Sequence, residues 1–222
     1  KDYSKSIATY GYLRGTGEAI KKSKLFFYMD HGYFNQSKRT FEKNKTKIID
    51  LNGYFRVVFN DFWHNGTGNK TNERLKKLDI NFKKINKNGQ YIIVSEPTQD
   101  AKNYFNLHNW TELVVKQIKK FTDRKIVLHN RTEKISLNDL LKNAWAFVSD
   151  HSSAGFMAMQ EGVPAYFTNK TLENISNIKD IEKHEINYSV FNNLAYEQWT
   201  INEIRNGECW DYLKKTIYEQ KK

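Results

Sequence analysis

The chain has 222 residues, enough to bury a real hydrophobic core in one large domain or two small ones. Its 36 Lys and Arg against 25 Asp and Glu leave a net charge of +11, which predicts attraction to polyanions such as nucleic acid, anionic lipid or nucleotide phosphates. The single cysteine, Cys209, excludes an intrachain disulfide and a multi-cysteine zinc site. No run approaches the ~20 apolar residues of a membrane span, so the expectation is a cytoplasmic protein with no membrane span.

In chain order, the apolar run 6–12 is followed by Arg14-Gly15-Thr16-Gly17, a helix-forming stretch 18–24 and a strand 25–29. This is the pattern of a βαβ unit. The strand ends in Asp30-His31-Gly32-Tyr33-Phe34, which places a carboxylate and an imidazole where a base for an acceptor hydroxyl would sit. The same two residues also suit a structural pair that orders the loop. Arg14 beside Gly15 suits a phosphate, although a lone Gly-x-Gly equally permits a tight turn. A strand is expected over 54–59, then a polar aromatic stretch in which His64, beside Phe62 and Trp63, suits either a flat ligand or simple packing. Residues 73–85 have helical spacing, and the turn at 86–89 marks a domain boundary near 88.

Beyond it strands at 91–95, 125–129, 146–149 and 165–168 alternate with helices at 110–121, 137–144 and 154–161, which implies a parallel sheet with right-handed crossovers. Helices are expected over 188–203 and 209–219. A parallel sheet delivers every strand-following loop to one edge, and here those loops are polar. They are 95–98, ending in Thr98, then His129-Asn130-Arg131, Asp150-His151-Ser152-Ser153 and Thr168-Asn169-Lys170. Arg131 suits a diphosphate, His129 a phosphate or base, Ser152 and Ser153 phosphate oxygens or a helix cap, and Glu161 a ribose hydroxyl. Gly162 is expected to close the helix in a left-handed conformation. There is no His-Glu-x-x-His, Cys pair, Asp-x-Asp, Walker loop or Gly-x-Ser-x-Gly elbow, so no metal site is expected.

In His129-Asn130-Arg131, the strand-turn 148–153 and Glu161-Gly162-Val163-Pro164, the second half resembles the donor domain of GT-B glycosyltransferases. With 10–17, 27–34 and 194–210, most of the chain is similar to small phage-encoded glycosyltransferases. The resemblance implies an α/β fold of two Rossmann-like lobes with parallel sheets and helices on both faces. Residues 1–88 would form a shortened acceptor lobe, and 89–222 a donor lobe whose terminal helices pack back across the first. It implies a metal-independent transferase with no bound cofactor and a nucleotide-sugar co-substrate, a UDP-sugar such as UDP-glucose. The donor would meet Thr98, His129, Arg131, Ser152, Ser153 and Glu161. Asp30 and His31 would be catalytic, with Arg14, Gly15, Tyr33 and His64 binding phosphate or acceptor. The charge and the phage likeness together favour a hydroxymethylated pyrimidine of double-stranded DNA as acceptor, flipped into the site and stacked on Tyr33, Phe34, Trp63 or Tyr54. A capsule or surface-glycan transferase and a non-catalytic nucleotide- or nucleic-acid-binding module are the alternatives. GT-B enzymes are usually longer, which leaves the acceptor lobe short.

Overall fold

The computed structural model describes residues 6–36, 39–41, 47–49, 51–130 and 135–219. They form two compact units, the first made of Lys1–His64, Asn69–Leu78 and Asn192–Lys222, the second of Asn65–Gly68 and Asp79–Phe191. The chain is thus α/β with mixed and parallel sheets. The division differs from a single boundary near 88, because the last 31 residues return to the first unit.

In the first unit β1 (Ile7–Tyr10), α1 (Thr16–Lys22) and β2 (Phe26–His31) form the expected βαβ pattern, with Tyr10 beside Met29 in a parallel pair. Strands β3 (Arg39–Phe41) and β4 (Lys47–Ile49) pair antiparallel in a small sheet of their own. Strand β5 (Phe55–Phe59) then returns antiparallel to β2, with Asp30 opposite Arg56. A parallel neighbour needs a crossover of a dozen residues or more, usually a helix. Among the described residues the regular structure between β2 and β5 is instead a two-stranded sheet, and β5 pairs antiparallel with β2, so this unit carries a mixed sheet and not the expected parallel one. Helix α2 is short, Glu73–Lys77, where 73–85 was expected helical. Asp79 stands at φ 49, which breaks the helix, and the following segment bonds elsewhere: the Lys83 and Asn86 amides donate to the Gln160 and Gly162 carbonyls.

The second unit follows its sequence pattern closely. Strand β6 (Tyr91–Ser95), helices α3 (Gln99–Phe105) and α4 (Trp110–Ile118), β7 (Lys125–His129), α5 (Leu137–Leu141), β8 (Ala144–Ser149), α6 (Ala154–Gln160) and β9 (Ala165–Phe167) build one sheet of order β7-β6-β8-β9, every pair parallel. Side chains alternate between its faces. Ile92, Val94, Ala146, Val148 and Tyr166 pack with Trp110, Val114 and Ile118 of α4. On the other face Gly155 of α6 lies so close to the Phe167 ring and Ala165 that a larger residue would not fit. Both faces being covered explains why β6 and β8 read as unbroken apolar runs.

The chain ends with α7 (Ser189–Ala195), β10 (Gln198–Trp199), α8 (Ile201–Arg205) and α9 (Glu208–Glu219). The single helix expected over 188–203 is interrupted. Gln198 and Trp199 extend to pair with Arg56 and Phe55 at the edge of the first sheet, and Thr200 with Glu203 forms a capping box that restarts the helix. Among the described residues, no helix is long and apolar enough to cross a membrane.

Candidate functional site

In the second unit β7 lies on one side of β6, whereas β8 and β9 lie on the other. The winding reverses between β6 and β8, and open α/β sheets bind ligands in the crevice at the carboxyl ends of two such strands. The loops flanking that point are 96–98 and 150–153. At the end of β8 the Asp150 side chain is buried, with 8% of its surface exposed. One of its oxygens lies 2.5 Å from His151 Nδ1 and the other accepts the Thr168 hydroxyl at 2.8 Å. Thr168 in turn accepts the Trp110 indole N–H at 2.6 Å. Trp110, Thr168 and Asp150 therefore form a relay that sets the ring orientation of His151, whose edge also meets Phe105 at 4.9 Å between centroids.

The serines beside this relay are held differently. The Ser149 hydroxyl accepts the Ser152 amide at 3.2 Å, and the Ser152 hydroxyl accepts the Ala154 amide at 3.3 Å. Ser153 occupies the N-cap position but makes no side-chain cap bond, so capping does not account for its hydroxyl. Thr98 is a true N-cap, accepting from the Ala101 amide and starting α3. At the end of β7, beside Ser95, Nδ1 of His129 is buried with no hydrogen-bond partner among the described residues. An unsatisfied buried nitrogen is costly, and this one stands at the carboxyl end of β7. Arg131 lies outside the described residues.

Glu161 does not join this edge. It ends α6, eight residues past Ser153 and so about 12 Å along the helix axis, and it pairs with Lys83. A helix that starts at the carboxyl edge of a parallel sheet must end near the opposite edge, which the Glu161-Gly162-Val163-Pro164 match did not take into account. Asp150 and His151 were readable as part of a polar turn. Their coupling was not, because it runs through Thr168 and Trp110, 18 and 58 residues away from their own partners in the relay.

In the first unit, Asp30 is committed. It accepts the Tyr28 hydroxyl and the His31 amide, both at 2.8 Å, and faces the Arg56 guanidinium at 3.3 Å. Burial alone would raise the Asp30 carboxyl, but Arg56 and these donors hold it below the usual carboxylate range, which makes it a poor proton acceptor. Arg56 also donates to the His31 and Phe62 carbonyls. Asp30→Asn is accordingly expected to cost about 1–2 kcal/mol in urea denaturation, since Arg56 would keep its backbone partners but lose its countercharge. A loss near zero would show the ion pair to be dispensable.

His31 packs its ring against Phe55 and places Nε2 3.5 Å from the Tyr10 hydroxyl. The loop after it is locked from the far end of the chain: Gln198 Oε1 accepts the Tyr33 and Phe34 amides at 2.8 and 2.9 Å. A Cβ on Gly32 would press on that oxygen and on the Tyr54 carbonyl, which is why glycine stands there. Tyr33, Phe34 and Trp63 are buried, so they offer no open ring face on which a flipped base could stack. Tyr33 instead accepts the His64 amide at 2.7 Å through its hydroxyl. Arg14 at φ 58 and Gly15 at φ 89 form the turn that leads into α1. Gly15 is explained by that conformation.

His64 belongs to a cluster of its own. Its Nε2 lies 3.3 Å from Glu197 Oε1, which also accepts the Tyr212 hydroxyl at 2.7 Å. Burial pushes the Glu197 carboxyl up to about 7 and the His64 imidazole down to about 4. Nothing in the local sequence around Glu197 marks it, because its partners come from distant segments. Among the described residues no group of three or more His, Cys, Asp or Glu could hold a metal ion.

No family model and no curated protein matches this sequence.

Proposed function

We propose that the protein is a nucleotide-sugar-dependent glycosyltransferase whose second unit binds the donor. What carries the reading is the polar constellation at the winding reversal of its all-parallel sheet: Ser152, Ser153 and the Asp150-oriented His151 after β8, with the buried unsatisfied Nδ1 of His129 on the same edge. Hydroxyls and imidazoles there suit the oxygens of a diphosphate, and Thr98 flanks them at the start of α3. Stabilising the departing diphosphate is the largest single task of such an enzyme, and preorganised donors accomplish it. The net charge of +11 supports a polyanionic acceptor, with a hydroxymethylated pyrimidine of duplex DNA preferred.

The test is a thermal-shift panel of UDP, GDP, CMP and their sugar conjugates, with plain and hydroxymethylated duplex DNA in parallel at two salt concentrations. One nucleotide at ~100 times its Kd is expected to raise the melting temperature by about 5–10 °C. The Ser152→Ala/Ser153→Ala double variant is expected to lose that shift while its own melting temperature falls by only about 2–5 °C, for the lost bond from the Ala154 amide to Ser152. Salt-sensitive DNA binding would select the DNA acceptor, and turnover on saccharides without it would select a surface glycan. DNA binding with no response to any nucleotide would replace the transferase with a non-catalytic module.

A further inference from the structure

Resting on the glycosyltransferase reading, we propose that Glu96 binds the sugar-ring hydroxyls of the donor, receiving them on the carboxylate oxygen that no protein group engages. Both the ribose of the nucleotide and the transferred sugar offer such hydroxyls, and deoxy analogues tell the two apart. The resemblance gives this task to Glu161, which instead ends α6 away from the carboxyl edge and pairs with Lys83. Glu96 is the first residue after β6, one of the two strands between which the winding reverses.

Its position is fixed at the main chain and at the side chain. Glu96 precedes Pro97, whose ring disfavours helical backbone at the residue before it, so the chain stays extended past β6. The Glu96 amide donates to the His129 carbonyl at 2.9 Å, which ties it to the end of β7. Strand alternation places Glu96 on the same face as Ile92 and Val94, which pack against α4. From α4 the Thr111 hydroxyl donates to Glu96 Oε1 at 3.0 Å. The preceding residue, Trp110, starts the relay through Thr168 to Asp150. Glu96 and Asp150 stand two residues beyond the paired Val94 and Val148, so the first turn of α4 sets both carboxylates.

The two are not equivalent. Asp150 has each oxygen engaged, one by His151 and one by Thr168. On Glu96, Oε1 takes Thr111, and Oε2 has no partner among the described residues. Lys102 Nζ lies 4.0 Å from Oε1, too far for a hydrogen bond. The Glu96 side chain keeps 24% of its surface exposed, enough for a ligand to reach it. His129, whose carbonyl holds the Glu96 amide, also carries the buried Nδ1 without a partner, a second polar atom at these strand ends that the described residues leave unsatisfied. A carboxylate only accepts hydrogen bonds and repels phosphate, so its complement on a nucleotide sugar is a hydroxyl, held in a charge-assisted bond. The diphosphate is left to Ser152 and Ser153 after β8, whose hydroxyls donate. A carboxylate in one loop and hydroxyls in the other give the donor a single orientation across the reversal.

The experiment titrates the full chain calorimetrically with the nucleotide that gives the largest shift in the panel above, with its 2′-deoxy and 3′-deoxy analogues and with its sugar conjugate. If Glu96 meets the ribose, the wild type is expected to bind a deoxy analogue about 10–100-fold more weakly than the ribonucleotide. Glu96→Gln should then bind the ribonucleotide and the conjugate alike about tenfold more weakly and lose most of that discrimination. If Glu96 meets the transferred sugar, Glu96→Gln should weaken the conjugate alone by the same factor. The variant keeps an acceptor for Thr111 and should melt within about 2 °C of the wild type. Glu112→Gln, at an exposed site on α4, is the control and should bind every ligand as the wild type does. Wild-type affinity of Glu96→Gln for all of these ligands would overturn the role of Glu96 and leave the transferase reading standing. So would a wild type that binds all of them equally, a result that needs no variant. No nucleotide shift in the wild type would overturn the transferase reading, and the role of Glu96 with it.

Discussion

Gly162→Val is expected to lower the melting temperature by about 10 °C or more, corresponding to roughly 3 kcal/mol in a domain of this size. Gly162 closes α6 in a Schellman motif: its amide reaches the Met159 carbonyl at 3.2 Å and the next amide, Val163, reaches Ala158 at 2.9 Å. Its φ of 80 costs an L-residue about 1–2 kcal/mol. A Cβ there would also overlap the Lys84 carbonyl oxygen. That carbonyl has little room to retreat, because Lys83 donates to Gln160 and Asn86 donates to the Gly162 carbonyl on either side of it. Displacing packed backbone adds about 1–3 kcal/mol. Gly207 is the matched control. It has φ 85 with nothing within 4 Å of a built Cβ, so Gly207→Ala should incur only the conformational cost of about 1–2 kcal/mol. Thermal melts followed by circular dichroism separate the two, and a Gly162→Val variant within 2 °C of wild type would refute the account of this turn.

The second expectation is that His64→Gln and Glu197→Gln tilt stability against pH in opposite directions. Glu197 has its folded value raised from 4.5 to about 7, so between those limits the folded state holds a proton that the unfolded state has released. Its contribution is present below 4.5 and is lost as pH rises through 7. His64 has its folded value lowered from 6.5 to about 4, so the unfolded state holds a proton that the folded state lacks. Its contribution is present above 6.5 and is lost as pH falls through 4. From about 4.5 to 6.5 the pair therefore carries one proton in both states and adds no slope to the wild type.

Removing either member exposes the other. In His64→Gln the site's own contribution to stability should fall by about 3 kcal/mol as pH rises from 4.5 toward 7. In Glu197→Gln it should fall by about 3 kcal/mol as pH falls from 6.5 toward 4, each figure being two and a half pH units at 1.36 kcal/mol per unit. Urea denaturation of the three proteins across that range reads the differences directly. Parallel slopes in the two variants would mean that the two groups do not titrate as a pair. This measurement needs no ligand, so it stands apart from the transferase reading.

The second unit was the more legible because its code is local. Apolar runs at 91–95 and 146–149, helices of adequate length between strands, and Gly162 after α6 each report on the few residues around them, and a parallel sheet follows from their alternation. The meeting of Ser152, Ser153, Thr98 and His129 at one edge follows from the same alternation, since a parallel sheet sends every such loop to its carboxyl end. Glu161 was misplaced because a motif match carries no direction along a helix.

The amino-acid sequence by itself determined the strand and helix periodicities, the parallel second sheet, the polar character of its carboxyl edge and the left-handed end of α6. All of these rest on interactions between residues near in the chain or on the pleat and pitch of the backbone. Only the tertiary structure decided that β5 returns antiparallel, that Gln198 and Trp199 form a strand inside an expected helix, and that Asp30 is bound by Arg56 while Glu197 lies beside His64. Each of those depends on burial and on partners from distant segments. The energy of a buried charge or an edge strand is set by what surrounds it, and a single segment does not contain its surroundings.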